Sequence, residues 1–342
     1  MSVSPQKSRN KNRILPTIIF CLILVIATIF LLAYRQRIID QITVWGYKPS
    51  TEATGLVQRA GMNDNGIFYY YASQPSTYSP DSAANFNKVC NNSETTTAIL
   101  GCYSGNKIYV YIVADKQLDG ISEVTAAHET LHAIYSRLSD GEKNRVDKLL
   151  EDEYKTLANN KYYSDLLSFY SSYEPGQRDN ELHSIIGTEV AKTNPELEAY
   201  YDQYFSNRQE VVNLDAQYSD VFKSLKTKAD NLLVQINQLS AIISTLSNQY
   251  NIDAQKLNSD ISSFKSRENS GSFSSQSQLN SEVAALNQRI DQWNATSTTI
   301  RADIQADIKN YQSLVAEYNS ISTQSKKLYD TINSTLVSSP SV

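Results

Sequence analysis

Residues 126–133 read Ala126-Ala127-His128-Glu129-Thr130-Leu131-His132-Ala133 and carry the pattern H-E-x-x-H. Four residues apart on a helix, His128 and His132 project from one face and can aim two imidazoles at one Zn²⁺. Glu129 then stands beside the open coordination position, placed to take a proton from metal-bound water. The chain holds three histidines in 342 residues, and random placement would give such a pattern in on the order of one sequence in a thousand. Chance is a weak explanation.

A catalytic zinc commonly takes three protein ligands and leaves one position for water, so a further donor is needed. The stretch Arg178-Asp179-Asn180-Glu181-Leu182-His183-Ser184-Ile185-Ile186-Gly187-Thr188-Glu189 offers two. Glu181 and His183 lie two apart and point roughly opposite ways on a helix, so one can ligate but not both. The glycine and third histidine of metzincins do not follow His132, where Ala133-Ile134-Tyr135-Ser136-Arg137 stands. On HETLH and on Asn180-Glu181-Leu182-His183-Ser184 the sequence resembles the gluzincin metallopeptidases, the thermolysin-like group of zincins. The resemblance covers a small part of the chain. It implies that Glu181 is the third ligand, with His183 as the alternative ligand or as a stabiliser of the transition state. The chemistry expected is peptide hydrolysis, in which zinc polarises the scissile carbonyl and Glu129 moves a proton from the water to the leaving amine.

The elements that would position these groups predict an α+β catalytic domain over residues 51–205. Residues 66–72, Gly-Ile-Phe-Tyr-Tyr-Tyr-Ala, are rich in β-forming side chains and predict a strand. Residues 97–103 and 107–113 flank Ser104-Gly105-Asn106 and predict a hairpin. Six of the seven residues 107–113 are apolar or aromatic, so this strand should be covered on both faces or packed under the site helix; a peptide could add along it by edge pairing. Ser122 is a fair N-cap for the HETLH helix, which should run to about Leu138. Ser139 and Glu142 have capping-box spacing for a helix to about Ala158. A further helix is expected over 162–171. Cys90 and Cys102 enclose a polar loop and are candidates for a disulfide, with two free thiols as the alternative.

Outside this domain the chain changes character. Residues 14–34 form an uncharged apolar run of a length that spans about 30 Å of hydrocarbon. A membrane anchor is expected; a cleaved signal peptide is the alternative, although its apolar region usually covers only about 7–15 residues. Lys7, Arg9, Lys11 and Arg13 precede the run, which predicts a cytoplasmic tail over 1–13 and an extracytoplasmic remainder, with a juxtamembrane linker over 35–50. Net charge is −5 with charges dispersed beyond the basic N-terminus, so no nucleic-acid surface is indicated. Residues 206–336 repeat apolar positions at alternating three- and four-residue steps in two arms about a Gly/Ser-rich break near Gly271, which predicts an antiparallel coiled-coil hairpin of roughly 90 Å; a parallel dimer of long helices is the alternative. A tail over 337–342 closes the chain. The expected whole is a membrane-anchored extracytoplasmic zinc peptidase acting on a protein or peptide, with an envelope protein as partner of the hairpin. The alternatives are a non-catalytic envelope scaffold and a metal-dependent hydrolase of non-peptide envelope material.

Overall fold

In the computed structural model of the chain, residues 11–90, 99–165, 168 and 176–332 are described. Residues 1–10, 91–98 and 333–342, and half of the expected helix over 162–171, lie outside them. Helix accounts for 79% of the structure and strand for 5%, which overturns the α+β expectation: the chain is predominantly α-helical with one small sheet. The physical reason is visible at residues 66–72. Asn63 Oδ1 accepts from the backbone N–H groups of Asn65 and Gly66, each at 3.0 Å, and this cap starts a helix over Asp64–Ala72 where a strand was expected. Its aromatic run finds partners around the helix, with Tyr70 fully buried, Tyr69 against Tyr204 and Tyr71 against Tyr47. β-propensity yields to tertiary packing here.

The chain divides into two compact units, one of residues 1–219 with 329–342 and one of residues 220–328. The first opens with α1, Lys11–Ala33, whose window Pro16–Ala33 has a mean hydropathy of 2.8 and no burial. It is the one helix among the described residues long and apolar enough to cross a membrane. Helical bonding carries on through Tyr34, whose N–H donates to Phe30 O at 2.9 Å and whose carbonyl accepts from Ile38 N–H at 3.0 Å. The residues expected as a linker are therefore mostly a second helix, α2, Arg35–Gly46, with Asp40 buried and the Arg37 guanidinium 3.8 Å above the Phe68 ring.

Helices α3 (Thr51–Arg59), α4 (Asp64–Ala72) and α5 (Ala83–Val89) follow, with β1 (Ser76–Tyr78) between the last two. Strands β2 (Gly101–Ser104) and β3 (Lys107–Tyr111) pair antiparallel around the two-residue turn Gly105-Asn106, with Ser104 opposite Lys107. β1 joins parallel to β3, so the order is β1-β3-β2 and β3 is central. Both of its edges are taken, which corrects the expectation that a peptide could add to this strand. Cys90 and Cys102 form a disulfide that ties the end of α5 to β2.

Helix α6, Ile121–Tyr135, carries HETLH and is buried over most of its length. It starts at Gly120, not at Ser122, whose hydroxyl accepts from Val113 N–H at 3.1 Å. Helix α7, Asp140–Leu157, begins with the reciprocal Ser139–Glu142 capping box. Then come α8 (Arg178–Glu189) and α9 (Pro195–Tyr201). The Arg208 guanidinium is buried, paired with Glu198, and donates to Val190 O at 2.7 Å and Ile186 O at 3.3 Å. It thereby satisfies carbonyls that the end of α8 would otherwise leave without partners. Arg208 opens the long helix α10, Arg208–Asn269.

In the second unit α10 pairs antiparallel with α11, Gln276–Ile332, as three contacts along the arms show: Arg267 with Glu282, Asp260 with Arg289, and the Tyr250 ring 5.1 Å from that of Trp293. Leu232, Ile236, Leu239 and Leu257 of the apolar seam are buried.

α8 crosses α6 at Gly187. A methyl there would lie 2.4 Å from Leu131 Cδ1 and 2.8 Å from Tyr201 Cε1, and both neighbours are fully buried. Gly187→Ala should therefore destabilise the first unit by about 1–3 kcal/mol, the usual cost of overpacking; denaturant unfolding should show it as a lower midpoint at unchanged slope.

Candidate metal centre

Helix α6 presents His128 and His132 on one side, and α8 brings Glu181 to meet them. One ligand atom from each lies within 4.8 Å of the others. Glu181 Oε1 is 3.5 Å from His132 Nε2, and its Oε2 is 3.8 Å from His128 Nε2. A tetrahedral zinc with bonds of about 2.0–2.1 Å sets its donors roughly 3.3 Å apart; the two Glu181 separations stand a few tenths of an ångström above that, and the three donors together lie within 4.8 Å. The donor set, two imidazoles and a carboxylate, is one that zinc takes in catalytic sites.

The charge state agrees with this geometry. Burial, and then His132 and His183, hold the His128 imidazole well below its ordinary pKa, so the ring is neutral and its lone pair is free to bind a cation. His132 Nδ1 sits 3.0 Å from Asn180 Oδ1. With the Asn180 amide donating to Gln177 Oε1 at 3.0 Å, its oxygen is left to accept from Nδ1–H, which turns the Nε2 lone pair towards Glu181. Asn180 was legible as part of the N-E-x-x-S segment, but its role needed the fold. The Ser184 hydroxyl stands 3.4 Å from His132 Nε2 and donates to Glu181 O at 3.0 Å.

Glu129 is not among the three clustered donors. Its side chain is buried and lies against β2 at Gly101. A methyl at position 101 would come 2.5 Å from Thr125 Cγ2 and 2.9 Å from Glu129 Cγ and Oε1. The sequence carried no sign that this glycine lets a strand approach the candidate base. β2 is also one of the two edge strands of the sheet, its outer edge pairing with no other strand among the described residues.

His183 also stands outside the three clustered donors. It is fully buried, its Nε2 bonds to Tyr200 OH at 2.8 Å, and its ring packs 5.4 to 5.7 Å from those of Tyr135, Tyr200 and Tyr201. The enclosed ring fills the core between these tyrosines. No protein-family model, curated protein or solved structure matches the chain.

Two outcomes follow. Removing the Glu181 carboxylate (Glu181→Ala) should abolish tight zinc binding, and Asn180→Ala should weaken it by about 10–100-fold, whereas His183→Asn should still hold one zinc per chain; competition with a chromogenic chelator measures all three. His183 has a second signature. Burial, with His132 nearby, pushes its pKa down to about 3, below the unfolded value of about 6.5. The unfolded chain then takes up the proton first, and stability falls as pH drops from about 6.5 towards 3. Urea midpoints measured across that window should fall less steeply for His183→Asn than for the parent.

Proposed function

We propose that the chain is a zinc-dependent peptidase of the HExxH type, anchored by α1 with the residues that follow it on the extracytoplasmic side. The observation that carries this is the convergence of His128, His132 and Glu181, with Glu129 on the same helix as the two histidines and strand β2 against that glutamate. Zinc held by the three ligands would acidify a bound water and polarise a carbonyl.

The chain's own residues account for the remaining steps. Asn180 holds His132 in the tautomer that directs Nε2 to the site. Glu129 takes a proton from the attacking water and delivers it to the nitrogen of the leaving amine as the peptide bond breaks. The outer edge of β2 offers backbone N–H and C=O groups to an extended peptide, and Gly101 lets that edge run close to Glu129. The antiparallel helix pair of the second unit offers a long surface for an envelope protein partner.

The test is Glu129→Gln in the zinc-loaded chain with an unstructured protein as substrate. The amide cannot accept the proton, so kcat should fall by about 10²–10⁴-fold while zinc remains at one per chain. Equal hydrolysis by the variant and the parent would remove Glu129 from the reaction. A zinc-loaded parent that cleaves no peptide would favour a scaffold or a non-peptide hydrolase.

A further inference from the structure

One buried guanidinium joins three elements that meet at the far end of α6. Arg137 Nε and Nη2 bind the two carboxylate oxygens of Asp40 on α2 at 3.0 and 3.1 Å. Its Nη1 donates to Ala133 O at 2.8 Å, the carbonyl next to His132, and to Tyr103 OH on β2 at 3.0 Å. Both charged side chains are withdrawn from solvent, at 6% and 2% exposure, and Gln36 donates a further bond to Asp40 at 3.0 Å. Desolvated in this way, the pair depends on its hydrogen bonds to offset the cost of burial, so the geometry is stiff.

Strand β2 lies lengthwise on α6. Alternate strand residues share a face, so Gly101 and Tyr103 both turn to the helix: Gly101 meets Thr125 and Glu129, and Tyr103 OH reaches Ser136 Oγ at 3.0 Å beside Arg137. The strand is thus held at one end by the fit of Gly101 and at the other by the Tyr103 hydroxyl on Arg137.

We infer that Arg137, oriented by Asp40, is a positioning residue of the site: it sets how close β2 runs to α6 at Glu129, and so makes the membrane-proximal helix α2 a working part of the active site. As a statement about catalysis this rests on the peptidase function proposed above; as a statement about β2 it does not.

The test uses the full-length chain in detergent, loaded with zinc. Tyr103→Phe removes the hydroxyl but keeps Arg137 on Asp40 and Ala133 O, and thermal unfolding checks that the chain stays folded; kcat on an unstructured peptide should fall about tenfold, as the charge-assisted bond from Arg137 is lost with the hydroxyl's bonds to Ser136 and Asn106, at unchanged zinc content. Asp40→Asn should fall further and Asp40→Glu, which keeps the carboxylate, less. In Tyr103→Phe and Asp40→Asn, amide hydrogen exchange across Gly101–Ser104 should accelerate at least several-fold, while exchange in α7 stays as in the parent. Accelerated exchange in a zinc-loaded chain that hydrolyses no peptide would support the positioning of β2 and count against the peptidase function alone. Unchanged exchange across β2 together with unchanged kcat in Tyr103→Phe would overturn the inference.

Discussion

The close crossing of α6 and α8 is the contact on which the rest of the first unit depends. His128 and His132 come from one helix and Glu181 from another, and no local interaction holds the second to the first. What does is packing: Gly187 admits Leu131 and Tyr201 where a side chain would keep the helices apart. The buried Arg208 then satisfies the carbonyls at the end of α8 and fixes that end against the start of α10. A shift of one ångström at the crossing would be repeated at Glu181, and a coordination shell tolerates only a few tenths.

Local patterns in the sequence translated directly into structure where a few neighbouring residues decide the outcome. HETLH lies in a helix, the capping box at Ser139 and Glu142 starts the next, the Gly105-Asn106 turn reverses the chain, and Cys90 meets Cys102. Glu181 could be set above His183 only through the resemblance, because both are zinc donors and the choice turns on which side of α8 faces α6.

The failures have the same cause seen from the other side. The α+β class failed because residues 66–72 carry strand propensity that an Asn63 cap and distant aromatic partners override. Residues 35–50 read as a linker because Asp40 and Arg137, 97 positions apart, each look like an ordinary solvated charge until the fold pairs them. Gly101 is invisible for the same reason: its meaning lies in Thr125 and Glu129. The three residues that cluster were therefore legible, and the framework that brings them together was not. That framework joins the apolar helix α1, through α2, Arg137 and β2, to Glu129, so the apolar helix and the candidate metal centre belong to one structural unit.

X-ray absorption at the zinc edge of the metal-loaded full-length chain tests the central claim most directly. A three-ligand centre predicts a first shell of two imidazole nitrogens, one carboxylate oxygen and one water oxygen, at about 2.0–2.2 Å, with the imidazole scattering halved in either His128→Ala or His132→Ala. A shell of four protein ligands, a third imidazole from His183, or a spectrum unchanged by those substitutions would contradict it.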